Sequence, residues 1–149
     1  MKLYKIKKSG IDNKGRGLYA TRDIKEGTKI IDYIGKLITK KQTQDSDKYD
    51  NNKPIYLFTI NKRYDLDGDF SWNTAGLINH SCDNNCDFDG KGLKVWVKAI
   101  KDIKKGEEFT SLERFLPGKI YLTKSRFFFT SKMQIVRTEK MFLKICPVK

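Results

Sequence analysis

The chain's single histidine lies in Asn79-His80-Ser81-Cys82, and Cys86 follows four residues after Cys82. Serine beside histidine raises a hydrolase reading, which needs a nucleophile, a base and an orienting acid brought together. Nothing in the chain resembles the Gly-x-Ser-x-Gly elbow that presents such a nucleophile. His80, Cys82 and Cys86 offer nitrogen and sulfur to zinc, but lack the paired Cys-x-x-Cys or histidine spacing of zinc sites. No metal is expected, since a lone histidine is more often a hydrogen-bonded structural residue. A third feature, Lys14-Gly15-Arg16-Gly17, is a glycine turn whose backbone amides could approach a ligand closely. It has neither the six-residue dinucleotide fingerprint nor a phosphate-loop Lys-Ser/Thr, so alone it reads as an ordinary turn.

These residues need elements to position them, and the first 110 residues read as short strands between turns. Gly10 to Gly15 is a turn cluster, followed by a strand-like Gly17-Leu18-Tyr19-Ala20-Thr21. Asp23-Ile24-Lys25-Glu26-Gly27 turns into the β-branched run Thr28-Lys29-Ile30-Ile31-Asp32-Tyr33-Ile34. Residues 42–53 are polar and read as a loop or short helix. Residues 55–60, 63–66 and 93–100 are strand-like, the last alternating cleanly at Leu93-Lys94-Val95-Trp96-Val97. Asp102-Ile103-Lys104-Lys105-Gly106 repeats the turn pattern of residues 23–27. The chain shows no long amphipathic helix and no repeat of 20–50 residues, so a mostly β fold follows.

Length and charge bound the function. The 149 residues suit one domain, and 31 Lys+Arg against 18 Asp+Glu give a formal net charge of +13. No apolar run reaches the roughly 20 residues of a membrane span, and the first residues lack a secretion signal's apolar core. Three cysteines cannot all pair, which suits a reducing compartment; the expectation is a soluble intracellular protein with no membrane role. The charge is uneven. Residues 111–149 hold 9 basic and 2 acidic residues, +7 of the total, with no Asp, one Gly (Gly118) and the run Phe127-Phe128-Phe129.

The ordered set Lys14-Gly15-Arg16-Gly17, Asp32-Tyr33-Ile34-Gly35, Tyr56-Leu57-Phe58, Tyr64-x-x-Asp67, Asn73, Asn79-His80-Ser81-Cys82-Asp83-Asn84-Asn85-Cys86 and Gly106-Glu107-Glu108-Phe109-Thr110 resembles the SET-domain protein lysine methyltransferases. The match runs from 14 to 110, about two-thirds of the chain. The resemblance implies a β-clip-like SET fold of short sheets with a pseudo-knotted core, whose two strips are residues 79–82 and 106–110. It implies S-adenosylmethionine as cofactor and a protein lysine, on a histone or other basic protein, as methyl acceptor. By that resemblance Lys14, Gly15, Arg16 and Gly17 hold the methionine end of the cofactor, Asn79 and His80 anchor it, and Tyr64 contacts it. Tyr33 takes the catalytic-site position of the aromatic wall of the lysine channel. Methyl transfer to an amine needs a neutral lysine held in line with the sulfonium methyl, and aromatic walls stabilise the cationic product.

Departures concentrate at the end. Where the family carries Tyr-Asp-Tyr after Gly-Glu-Glu-x-Thr, this chain has Ser111-Leu112-Glu113, with Glu113 at the tyrosine position. A carboxylate there favours the charged, non-nucleophilic lysine. Only Cys146 remains downstream to join Cys82, so no zinc is expected there; Asn84 replaces proline, and Gly76-Leu77 replaces Arg-Phe. Residues 1–110 are thus expected to form the SET-type domain. Residues 111–149 are expected to be a divergent basic tail, frame-shifted or replaced, against the rival that Tyr121 or another tail aromatic supplies the hydroxyl. The expected function is methyl transfer to protein lysine. The alternatives are an inactive SET module that binds cofactor or a partner, and a basic nucleic-acid-binding β domain.

Overall fold

Short β-branched and aromatic runs cut by glycine turns cannot build long elements, and the structure is a set of three small sheets. A computed structural model of the chain describes residues 1–12, 15–49, 56–112 and the backbone of 120–121. Strands β1 (Tyr4–Lys8) and β2 (Arg16–Ala20) form an antiparallel pair, Tyr4 opposite Ala20 and Lys8 opposite Arg16. The second sheet has five strands: β3 (Lys29–Tyr33), β7 (Asn79–His80), β8 (Cys86–Lys91), β9 (Lys94–Ala99) and β10 (Thr110–Ser111). Their order is β3-β9-β8-β10-β7. The third contains β4 (Lys36–Thr39), β5 (Leu57–Thr59), β6 (Tyr64–Asp67) and β11 (Ile120–Tyr121), in the order β11-β5-β6-β4.

Alternation puts the core where these sheets meet. In β9, Val95, Val97 and Ala99 are buried while Trp96 and Lys98 are half-exposed. Leu18, Ala20, Phe58, Val97 and Phe109 are completely enclosed and join one cluster with Tyr33 and Phe88. Tyr33, Phe58 and Phe88 pack edge to face or tilted, with ring centroids 4.6, 4.9 and 5.8 Å apart. Two glycines make room for this packing. A Cβ on Gly68 would overlap the Tyr33 ring, and one on Gly35 would overlap the Asp67 carbonyl.

The two similar turns seen in the sequence pair with each other. Ile24 and Ile103 exchange both backbone hydrogen bonds at 2.8 Å. Asp102 accepts from the Glu26 amide at 3.0 Å, and Asp23 accepts from the Lys105 amide at 2.9 Å. Gly27 and Gly106 close them at φ of 82° and 90°, a region that favours glycine. The Asp23–Lys104 and Asp102–Lys25 ion pairs are exposed, so the backbone exchange and the buried isoleucines matter more.

The third sheet carries a polar dock for the segment that follows β4. Helix α1 (Lys40–Gln44) opens with a capping box formed by Thr39 and Gln42. Buried Asp65 accepts from Lys40 Nζ, Thr43 Oγ1 at 2.8 Å and Thr59 Oγ1 at 2.9 Å. Asp67 accepts from Lys48 Nζ and Tyr49 OH, both at 2.7 Å, and from the Asp69 amide at 3.0 Å. The polar stretch 42–53 therefore becomes the end of α1 and a 3₁₀ turn, Asp47–Tyr49, with 50–55 outside the described residues. Strands β1, β4 and β8 were not foreseen. In β8 (Cys-Asp-Phe-Asp-Gly-Lys) two strand-disfavouring aspartates hide the alternation of Cys86 and Phe88.

Lys14, Glu113 and most of the tail lie outside the described residues. The exceptions are Ser111 in β10, Leu112, and the backbone of β11, where Ile120 and Tyr121 run parallel to Phe58 and Thr59. Among the described residues no helix is long and apolar enough to cross a membrane.

Candidate cofactor site at the crossing of two parallel strips

Strand β10 runs parallel to both neighbours, wedged between β7 and β8. Thr110 lies opposite Asn79, and Ser111 lies opposite both His80 and Cys86. Two-residue strands have too few ladder bonds to hold themselves, and side chains complete the join. Asn85, nearly buried, accepts from the Thr110 amide at 2.9 Å and donates to the Glu108 carbonyl at 2.8 Å. Its own amide donates to Thr110 Oγ1 at 3.3 Å. Asn85 thus substitutes for missing backbone pairing. The Ser81 amide closes the strip on the Ser111 carbonyl at 2.9 Å.

This crossing gathers Asn79 and His80 beside β2. The Asn79 Nδ2 donates to Glu108 Oε1 at 2.8 Å, Ser9 Oγ at 3.0 Å and the Arg16 carbonyl at 3.1 Å. Glu108 is the hub. Its carboxylate also accepts from Ser9 Oγ at 2.7 Å, Tyr19 OH at 2.7 Å and the Gly10 amide at 2.9 Å. Burial works against its ionised form, but the bonds from Ser9, Asn79, Tyr19 and Gly10 prevail and hold the carboxyl below its usual range. The same bond to Glu108, helped by burial, raises the Tyr19 phenol.

His80 has its Nδ1 2.8 Å from the Leu112 carbonyl, an acceptor only, so Nδ1 carries the proton. Its Nε2 lies 3.7 Å from Cys82 Sγ. Cys86 sits on the far side of β10, where burial pushes its thiol up to about 12 and leaves it unreactive. Among the described residues no three His, Cys, Asp or Glu side chains gather as a metal centre would require.

The structure thus brings Asn79 against Arg16 and Gly17, with Gly15 at the turn before β2, while His80, next in β7, reaches the Leu112 carbonyl. Gly15 is held by its amide on the Asp12 carbonyl at 3.1 Å and its carbonyl on the Ser9 amide at 3.0 Å. Two more of the candidate residues lie in other surroundings. Tyr33 is 2% exposed, packed between Phe58 and Phe88, and its hydroxyl donates to the Tyr56 carbonyl at 3.0 Å. Burial raises its phenol far above the ordinary value. It ties β3 to the segment from 56 to 68 through the Tyr56 carbonyl and its contact with Gly68. Tyr64 opens β6 in the third sheet, opposite Thr39, and among the described residues has no hydrogen bond to the Asn79–Glu108 group. Asp67 and Asn73, both in the recognised motif set, are structural. Asn73 accepts from the Ile34 amide at 3.3 Å and donates to the Gly68 carbonyl at 2.9 Å.

Ser9 and Tyr19 carry no site signal in the sequence, and Asn85 and Glu108 stand there only within motifs, with no role of their own. The signal that could have found Glu108 is a carboxylate followed at once by Phe109-Thr110, an apolar-then-β-branched pair expected to be buried.

A family model for the SET domain matches residues 15–111. The chain belongs to the SET-domain family. The matched span begins at Gly15 and ends at Ser111, the last residue of β10. The chain is 38% identical over 102 residues to the histone-lysine N-methyltransferase trithorax of Drosophila virilis. It is 37% identical over 103 residues to the human histone-lysine N-methyltransferase 2D. Each alignment covers 64% of this chain but only 3% and 2% of those proteins, so the chain spans a small part of the relatives it matches. Among solved structures, the SET domain resembles Chaetomium thermophilum Polycomb Repressive Complex 2 bound to GSK126. There the TM-score is 0.62 and the identity 33%, over 73% of this chain and 15% of that one. A second, an autoinhibited form of that complex bound to S-adenosylmethionine, gives a TM-score of 0.59 at 31% identity, again over 73% and 15%.

Proposed function

We propose that this SET domain binds S-adenosylmethionine at the β2–β7 crossing and transfers its methyl group to the side-chain amine of a protein lysine. The observations that carry the reading are the parallel β7–β10 pairing and the bond from the Asn79 side-chain amide to the Arg16 carbonyl, which ties β7 to β2. The fit to a zwitterionic amino-acid cofactor rests on backbone supply. β7 is the outermost strand of its sheet, which puts the Asn79–His80 backbone at a sheet edge. The Asn79 side-chain amide is already committed to Glu108, Ser9 and Arg16. Asn79 would serve the cofactor through groups other than its side-chain NH2, with His80 beside it in β7, and the 14–17 turn would hold the methionine end. Bound there, S-adenosylmethionine supplies the electrophilic methyl.

The chain's residues must then exclude water and keep the acceptor lysine neutral, since only the free amine attacks. The acceptor is a lysine-bearing protein of the histone type, the substrate class in the names of the two relatives above. Glu113 favours a second reading. Aligned with a tyrosine that orients the amine, a carboxylate there holds the ammonium charged. On that reading the domain binds cofactor or a partner without transfer. Calorimetry with S-adenosylmethionine, paired with a methylation assay on histones, separates the two: binding with transfer supports the enzyme, and binding alone the inactive module. No binding at all contradicts the enzyme and the cofactor-binding module.

A further inference from the structure

The resemblance assigns the glycines of the 15–17 turn to close approach of the cofactor. At Gly17 the structure gives a different reason. A Cβ built on Gly17 falls against Glu108, overlapping Oε1 and lying 2.8 Å from Cδ, with Asn79 Nδ2 at 3.2 Å. A Glu side chain usually swings away from such a contact at little cost. This one cannot, because its two oxygens accept from Ser9, Asn79, Tyr19 and the Gly10 amide at once. The Asn79 amide that would also be crowded is the group that ties β7 to the Arg16 carbonyl. By contrast, at Gly27 and Gly106 a Cβ would meet nothing within 4 Å, and backbone conformation explains the glycine there.

We infer that Glu108 is the positioning residue of the cofactor site, and that Gly17 lacks a side chain to seat the Glu108 carboxylate rather than to admit the cofactor. The carboxylate fixes three chain segments against each other: the turn after β1 through Ser9 and Gly10, β2 through Tyr19, and β7 through Asn79. Its removal takes away one acceptor each from the Asn79 amide, which keeps Ser9 and the Arg16 carbonyl, and from the Gly10 N–H, which keeps Tyr19 OH, and so loosens the hold of β7 on β2. The inference rests on the methyl-donor reading for its binding half. Its steric half stands on the contact geometry alone.

A double-mutant cycle on the full chain tests both halves, read by thermal unfolding and by titration calorimetry with S-adenosylmethionine. Gly17→Ala alone is expected to lower the melting temperature and to weaken binding at least about fivefold. Glu108→Ala also weakens binding, and adding Gly17→Ala to it costs nothing more, because the space is then free. In a Glu108→Gln background, which keeps the volume, Gly17→Ala still costs its full amount. Val97→Ala, a core truncation remote from the hydrogen-bonded group, lowers the melting temperature while leaving the affinity unchanged, and so separates positioning from general loss of stability. Additive losses for Gly17→Ala and Glu108→Ala overturn the steric half. An unchanged affinity in Glu108→Ala overturns the positioning half, and Glu108→Gln gives that answer if Glu108→Ala does not fold. Failure of the unaltered chain to bind S-adenosylmethionine would overturn the methyl-donor reading, while the melting temperatures still decide the steric half.

Discussion

Tyr33 and Glu108 show how a residue's surroundings decide its role. An aromatic in the expected channel position is a core ring whose hydroxyl is spent on a carbonyl, and a glutamate in a turn motif is the most heavily bonded carboxylate near the candidate site. Gly68 is coupled to the first of these. Gly68→Ala forces a methyl into the Tyr33 ring and should destabilise the fold by about 1–3 kcal/mol, the usual cost of overpacking. Urea denaturation measures it, and a variant as stable as the parent would contradict the packing described. Glu108 and Asp67 make the acid response specific. Burial opposes ionisation of both, but their hydrogen bonds, and for Asp67 the Lys48 ammonium, hold each below its usual range. The unfolded chain therefore takes up these protons first as pH falls. Their stabilisation is complete above about pH 5 and drains away below about pH 4. Urea midpoints between pH 6 and 3 should fall less steeply in Glu108→Gln and Asp67→Asn; parent-like slopes in both would contradict the assignment.

At the scale of elements, the parallel crossing of β10 with β7 and β8 depends on Asn85 more than on ladder bonds. Asn85→Ala strands the Glu108 carbonyl and the Thr110 amide and should cost about 1–3 kcal/mol. Hydrogen exchange locates the loss: the Thr110 amide should lose protection ahead of β9, and uniform loss would contradict a local role. Strands β2, β3, β5, β6 and β9 were legible in the sequence because their apolar residues are β-branched or aromatic, or alternate along the strand. The paired turns at 23–27 and 102–106 were legible as a repeated Asp-Ile-Lys-x-Gly, though not that they pair with each other. Strands β7 and β10 were not legible as strands, being two residues long and held by partners distant in sequence. The candidate site was half-legible for the same reason. Asn79, His80 and the glycine turn stand out by motif, whereas the bonds that make Ser9, Tyr19 and Glu108 matter join residues 29 to 99 positions apart.

For the whole molecule, the charge of +13 and the family assignment bear on different parts of the chain. The SET match ends at Ser111, and most of the excess basicity begins there. The basic balance therefore describes a segment outside the matched domain and gives the nucleic-acid reading little support. The same boundary bears on activity, because Glu113 falls two residues beyond the match. If the alignment holds at that position, Glu113→Tyr should raise methyl transfer to histone by at least about tenfold, as removal of a charge-holding carboxylate would; an unchanged rate would contradict the register. The central claim, that the β2–β7 crossing is a methyl-donor site, is tested most directly by titrating S-adenosylmethionine into the full chain and into Glu108→Ala. The account predicts saturable one-to-one binding by the parent, weakened by the substitution. A parent chain that takes up no S-adenosylmethionine would contradict it.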